Sequence, residues 1–112
     1  MNKYFAKKTE VDGIKFDSKK EAQFYLKLKE LEQKGEIKNI ERQVPYELQE
    51  SFKFNGETYR KIEYKADFRY VTTKDDKIHV VDVKSPYTRK DKVYRLKKKL
   101  FVKKYNIELE EK

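Results

Sequence analysis

The chain has 112 residues and no cysteine, and 29 Lys or Arg against 20 Asp or Glu give it a formal net charge of +9. That length supports one domain with one core, and the lack of thiols excludes a disulfide framework or thiolate metal site, as in a reducing cytoplasm. The single histidine, His79, removes His-rich zinc sites and histidine triads, so a bound metal must be a hard ion held by oxygens.

No apolar run is long enough to span a bilayer, and the opening MNKYFAKK lacks the apolar core of a signal peptide. The expectation is a cytoplasmic protein without a membrane partner, forming a single domain over residues 1–112. Nine Tyr and seven Phe supply bulky core material despite 44% charged residues.

An extended segment turning at Asp12-Gly13 leads into FDSKKEAQFYLKLKELEQKGE, which reads as a helix. Ser18 caps it, Glu21 completes an S-x-x-E capping box, and Gly35 stops it. Phe24, Tyr25, Leu28 and Leu31 fall on one helical face. Next, VPYELQESFKF and ETYRKIEYKADFRYV flank Asn55-Gly56, a strong hairpin signal, with Gln43 in ERQVPY at the start of the first strand. A turn at Thr73 to Lys77 leads to a third strand, KIHVVDVK. The turn SPYTRKD opens a second helix, roughly Asp91 to Tyr105, with Val93, Leu96, Leu100 and Phe101 on one face and Lys92, Arg95 and Lys99 on another. A short strand, NIELE, follows. The predicted fold is α/β (α+β): helix, three-stranded antiparallel meander, helix, strand, with the second helix acting as crossover.

The whole charge excess falls in one place. Between Lys84 and Lys104 there are ten basic residues against one acid, Asp91, and elsewhere 19 basic and 19 acidic groups cancel. Such a stretch suits a polyanion-binding surface; a solvated, lysine-rich helix face is the plainer reading.

Three carboxylates break the apolar pattern. Strand alternation puts Val80, Asp82 and Lys84 on one face, with His79, Val81 and Val83 on the other. If the last two meander strands pair through the Thr73–Lys77 turn, Asp67 lies opposite Asp82, where two like charges repel unless a cation sits between them. Glu21 occupies the apolar face of the first helix. Each has an ordinary explanation alone: a cap for Glu21, an ion pair for Asp82 with Lys84, a strand end for Asp67. Together they suit metal-assisted phosphodiester hydrolysis, with carboxylates and water holding Mg²⁺ and a lysine beside the reacting atoms.

At these residues the chain resembles the PD-(D/E)XK nuclease superfamily, whose core is helix, three-stranded meander, helix, strand. Asp67 in KADF matches the first acid and Asp82-Val83-Lys84 the second half of the motif, while Ala66 stands where the name proline would be. VDGIKFDSKKEAQFY, YKADFRY and VVDVKS are more narrowly similar to small phage-borne and prophage-borne proteins of this superfamily. The resemblance implies a Mg²⁺- or Mn²⁺-dependent DNA endonuclease acting on branched or duplex DNA in the manner of a Holliday-junction resolvase. A homodimer in a bacterial host cytoplasm is the expected form.

By the same resemblance, Asp67, Asp82, the Val83 carbonyl and Glu21 hold metal, Lys84 positions the nucleophile, and Gln43 matches a site glutamine. Lys92, Arg95, Lys98, Lys99, Arg89 and Lys90 are expected to contact phosphates. Three rivals stay open: a nucleic-acid-binding protein on a nuclease fold without catalysis, a small phage protein binding a host protein, and an RNA-processing nuclease.

Overall fold

The computed structural model describes residues 9–112, with Pro86 described by its backbone alone; the opening MNKYFAKK lies outside the described residues. Strands β1 (Thr9–Val11) and β2 (Ile14–Phe16) form a small hairpin. Its turn residues Asp12 and Gly13 both have positive φ (53° and 75°), the geometry that aligns with strand twist.

Helix α1 (Lys19–Gln33) starts where expected, with the Ser18 hydroxyl accepting from the Glu21 amide at 3.1 Å. It ends in two reversed hydrogen bonds, Gly35 N–H to Glu32 O and Glu36 N–H to Leu31 O, both 3.0 Å. That Schellman closure needs a left-handed residue, supplied by Gly35 at φ +76°.

Strand β3 (Ile37–Gln49) begins six residues before Gln43, so Gln43 is interior to the strand and not at its start. Two short strands, β4 (Phe52–Phe54) and β5 (Glu57–Tyr59), make a separate hairpin around Asn55-Gly56. Then come β6 (Ile62–Thr72) and β7 (Lys77–Asp82). The predicted turn SPYTRKD contains a short helix, α2 (Pro86–Arg89), before α3 (Lys92–Tyr105), which Asp91 caps through the Tyr94 amide at 2.8 Å. Strand β8 (Leu109–Glu111) closes the fold.

The central sheet has the order β3-β6-β7-β8, antiparallel except for the parallel β7–β8 pair that the α3 crossover makes possible. This is the mixed α+β architecture that the element order predicts. On one face, α1 packs Ala22, Tyr25 and Leu28 against Phe16, Ile37, Phe68 and Val81. On the other, α3 packs Tyr94 and Phe101 against Tyr64, Ala66, Val80 and Leu109. Among the described residues no helix is long and apolar enough to cross a membrane.

One packing expectation changes. In α3 the buried residues are Tyr94 and Phe101, whereas Val93 and Leu96 are exposed. Tyr94 and Tyr105 meet the sheet because a tyrosine buries its ring and still finds a polar partner, here Glu111 and the Glu47 carbonyl. Both faces of β7 are core around Asp82, which is 1% exposed.

Strand β6 also serves both layers. Tyr64 and Ala66 join the α3 cluster, but Phe68 and Tyr70 join the α1 cluster, although strict alternation would keep all four together. The change of face falls at Asp67. Gln43 lies across from it, between the pairs Arg42↔Phe68 and Val44↔Ala66, with φ at +51°. A left-handed residue inside a strand re-aims its neighbours, and such irregularities collect at working sites.

Candidate functional site

The β6–β7 ladder ends at the pair Phe68↔Val81, and one further step brings Asp67 opposite Asp82. The Thr73–Lys77 turn therefore sets the register as expected. Asp67 Oδ2 accepts the Val83 amide at 2.8 Å, where a ladder bond would otherwise form. Lys84 follows on the face of Asp82, with Nζ 3.5 Å from Asp82 Oδ2 and 4.6 Å from the centroid of the Tyr94 ring. The backbone is pinned from the neighbouring strand: Lys112 N–H donates to Asp82 O at 2.9 Å, and Lys84 N–H donates to Lys112 O at 3.2 Å. Lys20 Nζ adds a bond to Lys84 O at 3.0 Å.

Asp82 has one satisfied and one unsatisfied oxygen. Oδ2 accepts the Tyr64 hydroxyl at 2.6 Å, while Oδ1 is buried without a hydrogen-bond partner. Burial, then Asp82, pushes the Tyr64 hydroxyl far above its ordinary range, so it stays a donor. Burial is also the largest cause holding the Asp67 carboxyl up, to about 8, with contact and repulsion from Asp82 next and the Val83 amide opposing. Buried carboxylates facing each other are a net cost to the fold unless a proton or cation joins them.

Glu21 is also buried. Its amide takes the Ser18 cap, but its carboxylate turns to the sheet, accepting from Gln43 Nε2 at 3.4 Å with Arg42 4.0 Å away. Burial first, and then Asp17, raise its carboxyl above the usual range. Gln43 is thus half-buried and bound to a site acid, not a surface polar residue. Glu21, Asp67, Val83 and Lys84 line one cleft of about 410 Å³, together with Asp17, Ser18, Lys20, Ser85 and Thr88.

Among the described residues no three His, Cys, Asp or Glu side chains form a group that could hold a metal ion by themselves. A two-carboxylate site is a different demand. Mg²⁺ commonly keeps several waters and takes one or two protein carboxylates, and the buried Asp82 Oδ1, without a hydrogen-bond partner, is an oxygen such an ion would satisfy. The donor set fits a hard cation completed by water.

The basic residues lie close by. Arg89, Arg95, Lys98, Lys99 and Lys103 line a groove of about 570 Å³ with Val102 and Glu111. A second, of about 330 Å³, is lined by Lys92, Arg95, Leu96 and Lys99. Lys98 is held to Glu111 at 3.2 Å, and exposed Lys90 lines neither groove. Helix α2 joins the two regions, because Ser85 and Thr88 border the acidic cleft and Arg89 borders the basic groove. Tyr64, Tyr94, Lys20 and Lys103 escape the sequence reading. Strand parity would put Tyr64, three residues before Asp67, on the opposite face, and only the change of face at Asp67 brings its hydroxyl to Asp82.

No curated protein and no solved structure matches the chain. The family described as "Protein of unknown function (DUF1064)" matches residues 1–111. With nearly its whole length matched, the chain belongs to the DUF1064 family.

Proposed function

We propose that the protein is a Mg²⁺- or Mn²⁺-dependent endonuclease of the PD-(D/E)XK type that hydrolyses DNA phosphodiesters. The observation that carries the reading is the buried opposition of Asp67 and Asp82, with Asp82 Oδ1 orphaned and Lys84 Nζ 3.5 Å from Oδ2. Their repulsion is a stability cost that a cation would relieve, and evolution rarely keeps such a cost without use.

Asp67, Asp82 and the Val83 carbonyl would hold the ion, with Glu21 acting directly or through water. The bound ion would supply charge neutralisation at the scissile phosphate and a more acidic water. Tyr64 occupies Asp82 Oδ2, so Oδ1 is the oxygen presented. Lys84, steadied over the Tyr94 ring, is placed to orient the attacking water and oppose developing oxyanion charge. Gln43 fixes the Glu21 carboxylate. Arg89, Lys92, Arg95, Lys99 and Lys103 would hold phosphates on either side of the cut, with Lys90 and the Glu111-bound Lys98 as outlying contacts.

So small a domain has little surface for reading base sequence, which favours selection by DNA structure, branched DNA above all. A homodimer would bring two clefts to two strands. Among the described residues there is no ready three-carboxylate cage, which favours, as second reading, binding without cleavage.

The test is a cleavage panel of duplex, single-stranded, flap and four-way-junction DNA with Mg²⁺, Mn²⁺ or EDTA, run beside Asp82→Ala and Lys84→Ala. Metal-dependent cutting lost in both variants supports the enzyme. If no substrate is cut in either metal, or both variants cut like the parent, the enzyme reading fails.

A further inference from the structure

Among the described residues, the β4–β5 hairpin brings its backbone within 8 Å (Cα to Cα) of no other strand or helix. It is an arm that extends from the ends of β3 and β6, the strands that carry Gln43 and Asp67. A two-stranded ribbon without a core is marginal by itself, so its exposed apolar surface needs a reason beyond folding. Phe52, Phe54 and Tyr59 are 45%, 62% and 41% exposed. Phe52 pairs with Tyr59 and Phe54 with Glu57, so all three rings share one face, while the Lys53–Thr58 pair takes the other. The Phe52 and Tyr59 rings lie 4.9 Å apart and within 9° of parallel, presenting flat outer faces.

We propose that this aromatic face is a stacking platform for unpaired nucleobases. The inference deepens the function proposed above, on which it rests for the class of ligand, and names how one DNA structure would be preferred to another. Every base has a π-face, and aromatic side chains set among cations are the usual means of holding unpaired strands. Across residues 52–61 the arm carries Lys53, Arg60 and Lys61 against Glu57; Lys61 is paired with Glu63 at 3.2 Å, the Glu57 carboxylate already accepts the Tyr59 hydroxyl at 2.7 Å, and Lys53 and Arg60 are left as the arm's cations. That balance suits a polyanion and disfavours a second copy of a chain with net charge +9.

The placement agrees. Helix α3 begins beside the cleft, where Tyr94 meets Lys84, and ends near the root of the arm, where the Tyr105 hydroxyl donates to Glu47 O at 2.7 Å. Its basic row therefore leads from cleft to arm, over about 17 Å of helix. Tyr59 lies at most about 26 Å along the strand from Asp67, or roughly eight stacked nucleotide steps. A strand held across the cleft would have its unpaired continuation within reach of the arm.

The test uses the full chain in EDTA, so that catalysis plays no part. Affinity is measured for a blunt DNA duplex and for the same duplex with a single-stranded extension carrying 2-aminopurine. The parent is expected to prefer the extended duplex and to quench the 2-aminopurine on binding. Phe54→Ala combined with Phe52→Ala should collapse that preference by about tenfold or more and abolish the quench, while Phe54→Trp restores both. An unchanged melting temperature checks that the variants fold. Equal preference in parent and double variant overturns the platform alone, whereas no binding to any nucleic acid overturns the proposed function with it. A parent dimer that the double variant turns into monomers, with DNA preference unaltered, makes the arm a subunit contact and also overturns the proposal.

Discussion

Asp82→Asn should make the metal-free protein more stable, although it removes a residue at the centre of the site. The asparagine can keep its oxygen where Oδ2 accepts the Tyr64 hydroxyl at 2.6 Å, and place its NH₂ where Oδ1 now has no partner. One substitution then removes a buried like charge and supplies a donor. The Asp67 carboxyl is held well above its ordinary value, to about 8, and one pKa unit is worth about 1.4 kcal/mol. Burial is the largest cause of the rise and persists in the variant, so about 2 kcal/mol is the part Asp82 can return.

The sign follows from proton counts. Between the unfolded Asp67 pKa near 4 and its raised folded value, the folded parent holds a proton that the unfolded chain has released. Its stability therefore falls as pH rises through that window. The variant should gain nothing near pH 4 and its full advantage near pH 8 to 9, a rise in melting temperature of about 8 °C. Thermal unfolding followed by circular dichroism in EDTA at pH 4, 6 and 8.5 measures it. Added Mg²⁺ should raise the melting temperature of the parent and leave the variant unmoved. A variant no more stable than the parent at pH 8.5 would refute the opposed-carboxylate account.

Tyr64→Phe leaves Asp82 with one fewer partner inside the core and should cost about 2 kcal/mol by urea unfolding, more at pH 8 than at pH 4. Lys84→Met should lower the cleavage rate at least about 100-fold while Mg²⁺ still raises the melting temperature, which separates water positioning from ion binding. Replacing Lys92, Arg95 and Lys99 together by alanine should weaken DNA binding and flatten the log–log salt dependence by about 2 to 3. An unchanged slope would make that face a solubilising one.

The register of β6 against β7 was readable because a short turn with Asp75 and Asp76 leaves little choice of pairing, and Asp67 opposite Asp82 followed from it. Both Xaa-Gly turns and the Ser18 cap were equally local, each set by one or two residues. The buried face of α3 was not local. Aliphatic spacing pointed to Val93 and Leu96 beside Phe101; the sheet keeps Phe101 but takes Tyr94 in their place, because rings fill the space over Ala66 and Tyr94 finds Glu111. That α3 covers Asp82 was not legible either, since no pattern in β7 reveals it. The left-handed Gln43 was invisible for the same reason: a glutamine carries no preference for φ +51°, and only the strand across from it explains the kink.

The bonds between Lys112 and the segment Asp82 to Lys84 also bear on when the site comes into being. Strand β7 can pair with β6 as soon as their turn closes, but parallel pairing with β8 must wait for α3 to be made and docked. Until then Lys84 has no fixed neighbour at its amide, and Tyr94, its aromatic seat, has no Glu111 to hold it. A nascent or partly opened chain thus carries the acids and the lysine without their alignment. Loosening β8 alone should disperse them while most of the core still stands, a route by which the protein could lose activity well before it unfolds.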